Sequence, residues 1–232
     1  MCGRYSLTHS AEAIAARFGV HQPEGFQPRY NVAPTDRMPV VRAGEGEATR
    51  EMAVLRWGLV PFWADDLKIG ARMINARSET VAEKPAFRAA FRRRRCLVPT
   101  DGFYEWVKKG GKKWPIRITY EDESINAFAG LWERWTDSSG AVVQTYTILT
   151  TEADPILEDI HGRMPLRAPE NLWDAWLFDE SDPRGILDEM VRGFASQALA
   201  FRPVSPEINR PGNDRAELIE KIDEPGLPVR IP

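Results

Sequence analysis

Eighteen prolines and 17 glycines punctuate this chain of 232 residues, and no internal repeat or low-complexity linker interrupts it. Proline fixes φ and lacks a backbone N–H, while glycine loses the most backbone freedom on folding, so long unbroken helices are excluded and the elements must be short. The length fits one large domain, or one with a helical appendage, better than it requires two. With 43% hydrophobic and 28% charged residues and 8 tryptophans, disorder, collagen and coiled coil are excluded as well.

Periodicity gives a coarse map. Ser10 is a plausible N-cap for a helix through Ala11 to Phe18, with Ala11, Ile14, Ala15 and Phe18 at helical spacing. A proline-rich connection, Gln22 to Pro39, leads to strands over Met38 to Arg42 and Ala48 to Trp57. Trp57 reads as core, and Trp63, just past Pro61, as a loop tip. Thr80-Val-Ala-Glu83 has the form of a capping box and predicts a helix burying Ala86, Phe87, Ala90 and Phe91, with Arg92 to Arg95 in its last turn. Strands are expected at Cys96 to Pro99, Phe103 to Lys108, Trp114 to Tyr120, Ala127 to Trp132 and Val142 to Thr150, with Lys109-Gly-Gly-Lys112 turning a hairpin. Helices are expected at Asp154 to Ile160, Pro169 to Phe178 and Pro183 to Phe194, then a last strand at Leu199 to Val204. The pattern is α+β, a β-rich centre with helices around it, and lacks the βαβα alternation of a parallel doubly wound sheet.

Two cysteines, Cys2 and Cys96, cannot build a disulfide framework, and no CxxC or HxxxH spacing offers a zinc site, so a reducing compartment and no metal are expected. No apolar run is long enough to span a membrane and the first residues lack a signal-peptide core, which makes the cytoplasm the expected location. The net charge of -3 argues at first sight against nucleic acid. By region the picture differs: residues 1–36 carry no net charge, 37–118 carry +9 and 119–232 carry -12. A +9 segment interleaved with Trp57, Trp63, Trp106 and Trp114 has the composition of a surface that tracks phosphates and stacks bases, or of a basic face neutralised by the acidic third of the chain.

Four groups of residues could carry chemistry. Removal of Met1 would leave Cys2 with an amine and a thiol on adjacent carbons, a pair that closes onto an aldehyde as a Schiff base and then a five-membered thiazolidine; alternatively Cys2 is an incidental small residue behind a retained Met1. Asn75-Ala-Arg77-Ser-Glu-Thr80 reads either as an anion-binding loop before a helix N-terminus or as a polar, self-capping one. Glu105 lies between aromatics in a strand that reads as buried, where desolvation would raise its pKa and suit it to proton transfer, unless it points to solvent at an edge. His161, in His-Gly-Arg-Met-Pro165, is a candidate acid/base near pH 7 or a surface loop histidine like His9 and His21.

In order along the chain, Met1-Cys-Gly-Arg-Tyr5, Arg29-Tyr-Asn-Val-Ala-Pro34, Trp57-Gly-Leu-Val-Pro61 with Trp63, Asn75 to Thr80, Cys96 to Trp106, Ile148-Leu-Thr-Thr151 and His161 to Pro165 resemble the SOS response-associated peptidase (SRAP) family, from Met1 to about residue 206. The resemblance implies a single SRAP-type domain over 1–232 with an antiparallel, barrel-like β core, leaving 207–232 as an acidic extension. It implies a monomeric sensor of abasic sites in single-stranded DNA that needs no cofactor and crosslinks itself to the lesion through Cys2 once Met1 is removed. Cys2 would be the nucleophile, and the peptidase nucleophile too. Asn75 would position the opened sugar or the amine, and Glu105 and His161 would move protons. Arg4, Arg77 and Arg163 would hold phosphates, Trp106 would sit beside the lesion, and Pro34 with Trp63 would form a wedge on the DNA.

Two other classes compete. A class II glutamine amidotransferase also begins Met-Cys-Gly but uses an Asn-Gly pair in its oxyanion hole, and this chain has no Asn-Gly. A non-catalytic single-strand-binding module accounts for the charge and the tryptophans, but not for Glu105 and His161. A metalloenzyme would have only scattered ligands.

Overall fold

The computed structural model describes residues 2–222 apart from 23, 45–48, 121–123, 159 and 194–198. Twelve strands are described: β1 (Tyr5–Leu7), β2 (Arg29–Val32), β3 (Arg37–Ala43), β4 (Arg50–Trp57), β5 (Asn75–Arg77), β6 (Arg95–Thr100), β7 (Gly102–Lys109), β8 (Lys112–Tyr120), β9 (Asn126–Thr136), β10 (Val142–Glu152), β11 (Arg163–Pro165) and β12 (Leu199–Pro203). The described helices are α1 (Ala11–Phe18), α2 (Arg88–Arg93), α3 (Pro155–Glu158), α4 (Trp173–Phe178) and α5 (Pro183–Gly193).

Strands β10, β4, β3, β6 and β9 pair in that order, and β9 pairs back onto β10, so five strands close into a barrel. The expected antiparallel barrel is in fact mixed, because β4 and β10 close it in parallel (Arg56 opposite Thr145). β5 also joins β10 in parallel and β11 joins it antiparallel. A second, antiparallel sheet runs β12-β8-β7-β1-β2. Tyr5 of this sheet meets the barrel: its ring packs edge-on to Trp57 at 5.2 Å and its hydroxyl lies 2.7 Å from that of Tyr146. One apolar core runs through both sheets and takes in Trp57, Trp173 and Trp176.

Helix α1 begins and ends as its sequence dictates. Ser10 Oγ accepts from Ala13 N, Gly19 takes the left-handed C-cap (φ 65), and Ile14, Ala15 and Phe18 face inward. The capping box at Thr80 does not open a helix. Glu83 N and Lys84 N bond Thr80 O, but Pro85 has no N–H to continue the ladder, so the chain makes single turns until α2 starts at Arg88. Asn75 to Arg77 is consequently a strand that pairs with Ile148 to Thr150, not an anion loop at a helix N-terminus. Likewise Asp154 to Ile160 shrinks to the single turn α3, and the connection after Gln22 holds β2, whose partner β1 no local pattern announced. Ala48, Phe194 and residues 223–232 lie outside the described residues.

The basic middle segment is also partly structural. Arg42, Arg50, Arg94 and Arg117 pair with Glu51, Asp174, Glu133 and Asp101, and buried Arg95 donates to four backbone carbonyls. Lys68, Arg72, Arg77, Lys84, Arg88, Arg92, Arg93, Lys108, Lys112 and Lys113 remain exposed.

Two details fix how the halves meet. Asp101, at the β6–β7 corner, accepts from Ser6 Oγ (2.6 Å) and Arg117 Nη2 (2.9 Å) through one oxygen. Its other oxygen takes Thr8 N, Thr8 Oγ1 (2.8 Å) and His9 Nδ1 (3.1 Å). Burial alone would push this carboxyl up, but the His9 bond, the Arg117 charge and the Ser6 and Thr8 donors outweigh it and hold it at about 2. Gly58, next to Trp57, has φ 112, and a Cβ there would stand 2.5 Å from Gly70 O, so only glycine lets the chain cross the turn over Leu67–Arg72.

Gly58→Ala should therefore lower stability by about 2–4 kcal/mol, read as a fall in urea midpoint with unchanged slope. Asp101→Asn should cost about 3–5 kcal/mol near neutrality, because Arg117 is left buried without its counter-ion. Since Asp101 is held below the unfolded carboxylate value of about 4, its contribution is complete above that pH and vanishes as pH falls through about 2. Urea midpoints of the two chains should converge in acid; parallel pH profiles would contradict the clamp.

Candidate functional site

The Asp101 clamp lays β1 antiparallel on β7, with Tyr5 opposite Phe103 and Tyr104 N bonded to Arg4 O, and so carries the residues before β1 along β7 toward Glu105. Cys2 is fully buried there and its thiol donates to Arg4 O at 3.6 Å. Burial pushes that thiol up to about 12, and the nearby Glu105 carboxylate adds to the effect. A thiol so placed is almost wholly protonated near neutrality and needs a base to become a nucleophile.

From the barrel side, Asn75 at the start of β5 donates through Nδ2 to Cys2 O at 2.7 Å. Its Oδ1 is buried and has no hydrogen-bond partner among the described residues, an acceptor placed beside the Cys2 backbone. Glu105 is buried on β7; desolvation raises its carboxyl, and the charge of His161 opposes that rise. His161 follows α3, held by its N–H to Leu157 O at 2.8 Å. Its Nδ1 lies 3.0 Å from Arg163 N and 3.1 Å from Arg163 O, so the ring is held against the Arg163 backbone. Cys2, Asn75, Glu105 and His161, spread over the sequence, thus converge where the two sheets meet. The set holds a masked nucleophile, a carboxyl poised to exchange a proton, an imidazole and an amide that grips the backbone of the nucleophile.

The remaining candidates sit in different surroundings. Arg77 is exposed, and strand alternation puts it on the same side of β5 as Asn75. Trp63 is 48% exposed beside Phe62, which the sequence reading passed over and which is 61% exposed. Trp135 Nε1 to Ala64 O (2.6 Å) anchors their loop. Pro34 is half-buried before Thr35, whose φ of 80 marks a tight turn. Arg163 makes a bidentate pair with Glu79 (2.6 and 3.0 Å) and donates to Thr150 O. The pleat turns Trp106 to the sheet face opposite Glu105, where its indole donates to Asn209 Oδ1 (2.6 Å) and Arg4 lies 5.9 Å from its ring centre.

Arg4 itself donates to Asn31 Oδ1 (2.7 Å) and Ile208 O (2.9 Å). Asn31 was quoted in the Arg29 to Pro34 motif without a role. Buried in the structure, it gives its amide hydrogens to the carbonyls of Ile208, Arg210 and Asn213 and so ties residues 208–213 across the first strands. This segment, expected as an acidic extension, packs Ile208 and Leu218 against Tyr104 and Trp106. Nothing local in the sequence signals that contact, which joins residues about 100 positions apart. Among the described residues no group of three potential ligands could hold a metal ion, and no helix is long and apolar enough to cross a membrane.

The chain is similar to abasic site processing protein YoaM of Bacillus subtilis (strain 168), 39% identical over 224 residues covering 95% of this chain and 98% of that one. It is 28% identical to abasic site processing protein HMCES of Gallus gallus, with 100% of this chain and 80% of that protein covered. A crystal structure of a protein from Bacteroides thetaiotaomicron superposes with a TM-score of 0.80 at 25% identity, covering 95% of this chain and 100% of that one. The family model described as SOS response associated peptidase (SRAP) matches residues 1–211, and with the two sheets and the convergent site this chain belongs to that family.

Proposed function

We propose that this protein processes abasic sites in single-stranded DNA and joins itself covalently to them through Cys2 after Met1 is removed. The convergence of Cys2, Asn75, Glu105 and His161 at the meeting of the two sheets carries the proposal, and the abasic-site-processing names of the relatives supply the substrate class. An abasic deoxyribose is an aldehyde masked as a ring. Opening it requires a proton delivered to the ring oxygen and one taken from the C1' hydroxyl, work for His161 and Glu105. The Cys2 amine then adds to C1', water leaves with a proton from Glu105, and an imine remains. The thiol finally adds to the imine carbon, its proton passing to the nitrogen, and closes the thiazolidine. Overall one water is lost.

Burial is consistent with this order. A protonated thiol does not compete for the aldehyde before the imine forms, and desolvation raises the Glu105 carboxyl, which makes it a better proton acceptor than an exposed carboxylate. Asn75 would hold the Cys2 backbone through Nδ2 and the freed amine through Oδ1. In the unprocessed chain the same thiol would attack the Met1 carbonyl carbon, expel the Cys2 nitrogen as the amine, and leave a thioester that water cleaves to methionine. Arg77 and Arg163 would meet phosphates, Arg163 by exchanging Glu79 for the DNA, with Pro34 and Trp63 against the strand; Arg4 and Trp106, expected on the DNA, are turned to the opposite face of the sheet and held there by Asn31, Ile208 and Asn209, where they would brace the site from behind. The protein would act as a monomer in the cytoplasm, with peptidase and lyase-like steps sharing one centre.

Incubating the protein with a single-stranded oligonucleotide carrying one abasic site should give a band that survives boiling in denaturant. Its mass should equal the chain without Met1 plus the DNA minus one water. Cys2→Ala should abolish the band while leaving salt-sensitive binding intact, and Glu105→Gln should slow its formation by roughly 10²-fold or more. A native chain that never shifts would overturn the proposal. Separately, raising salt should weaken the first encounter steeply but leave the formed adduct unchanged, as measured by filter binding before and after reaction.

A further inference from the structure

The β7–β8 hairpin carries a tryptophan and exposed lysines that the chemistry above does not use. Its register sets Glu105 opposite Ile116, Val107 opposite Trp114 and Lys108 opposite Lys113. Because alternate residues share a face, Trp114 and Lys112 stand on the Glu105 side of the sheet, while Lys113 stands on the Trp106 side. Trp114 is the diagonal cross-strand neighbour of Glu105, about 7–8 Å along the sheet. It is half-buried, and Lys108, Lys112 and Lys113 are exposed. Beside it lies a cavity of about 320 Å³ lined by Lys112, Lys113, Trp114, Pro206 and Asn209, with no acidic residue among them. The cavity sits at the outer edge of β8, past the point where β12 stops pairing at Pro203.

We infer that this cavity is a nucleotide subsite, in which the strand leaving the Cys2 site crosses the outer edge of β8, a base stacking on the Trp114 indole and its phosphates meeting Lys112 on the Glu105 side and Lys113 on the Trp106 side. Three observations support single-stranded DNA as the occupant. The indole lies on the same face as Glu105 and within one nucleotide's reach of it. The lining pairs an aromatic surface with ammonium groups and, among the described residues, includes no carboxylate to repel a phosphate. The volume falls in the range of small-ligand cavities, roughly 300–1,000 Å³, wide enough for a base with part of its sugar. Stacking on an indole is tolerant of sequence, so the subsite adds affinity for any flanking base. The inference rests on the proposed passage of DNA over Glu105.

Fluorescence anisotropy with an undamaged, labelled single-stranded oligonucleotide reads the subsite without crosslinking. Trp114→Ala should weaken binding on the order of tenfold, and Trp114→Phe should restore most of the loss. Trp114→Gln, which keeps a long side chain over Val107, should bind as poorly as the alanine variant and serves where the latter does not fold. Replacing Lys112 and Lys113 with glutamine should reduce the slope of affinity against salt by about one to two. With abasic DNA, Trp114→Ala should raise the half-saturating concentration while the maximal crosslinking rate stays unchanged. Binding equal to the native chain in both truncated variants, or a fall in the maximal rate alone, would overturn the subsite. A native chain that binds undamaged DNA through Trp114 but never crosslinks would overturn the crosslinking proposal and leave the subsite standing.

Discussion

The position of Cys2 depends on a carboxylate distant from it in sequence. Asp101 takes donors from Ser6, Thr8, His9 and Arg117, four residues on two stretches of chain, and thereby pins the end of β1 that lies against the start of β7. A three-residue strand has little pairing of its own to hold it in register. With its donors satisfied, the buried carboxylate makes one register much better than its neighbours, since a slip would take Ser6, Thr8 and His9 away from Asp101 and leave it with Arg117 alone. Cys2 reaches Glu105 and Asn75 because β1 cannot slide. The clamp thus converts a stability term into a geometric one, at a terminus where chains commonly fray.

Burial sets the chemical character of the site as strongly as contact does. Desolvation pushes the Cys2 thiol and the Glu105 carboxyl in the same direction, toward their protonated forms, and each carboxylate or thiolate charge would raise the other. The paired groups are therefore quiet until a substrate supplies new charge and new donors. A solvent-exposed N-terminal cysteine would carry more thiolate and react with many electrophiles. Enclosure exchanges that general reactivity for selectivity, because only a group that enters between the sheets meets Cys2, Glu105 and His161 together.

Sequence patterns revealed the elements whose signals are local. Ser10 and Gly19 bracket α1, the Gly110-Gly111 pair turns the hairpin, and the five strands between Cys96 and Thr150 alternate or run apolar as buried strands do. What stayed hidden depends on distant partners. β1, β2, β5 and β11 have three or four residues each and exist only because a neighbouring strand completes their hydrogen bonds. The Thr80 box misled because a cap specifies a start but cannot supply the N–H that Pro85 lacks. The four proposed catalytic residues were legible from their chemical types and motif order, whereas the roles of Asp101, Asn31 and Phe62 required the fold. Regional charge counting identified a basic segment but could not distinguish exposed lysines from arginines already committed to Glu51, Glu133 and Asp101.

The pleat of β7 divides labour in a way the linear motif conceals. Glu105 and Trp106 are adjacent in sequence, yet a strand turns successive side chains to opposite faces, so one can join Cys2 only if the other leaves. The face that receives Trp106 also receives Arg4, Asn31 and residues 208–213, and hydrogen bonds among them hold the far side of the sheet rigid. Arg4 is the link between the faces: its guanidinium belongs to the far side, while its carbonyl accepts the Cys2 thiol. Movement in the segment after β12 would thus reach Cys2 through Arg4. That coupling gives the C-terminal segment a structural reason to remain with the first strands of the chain.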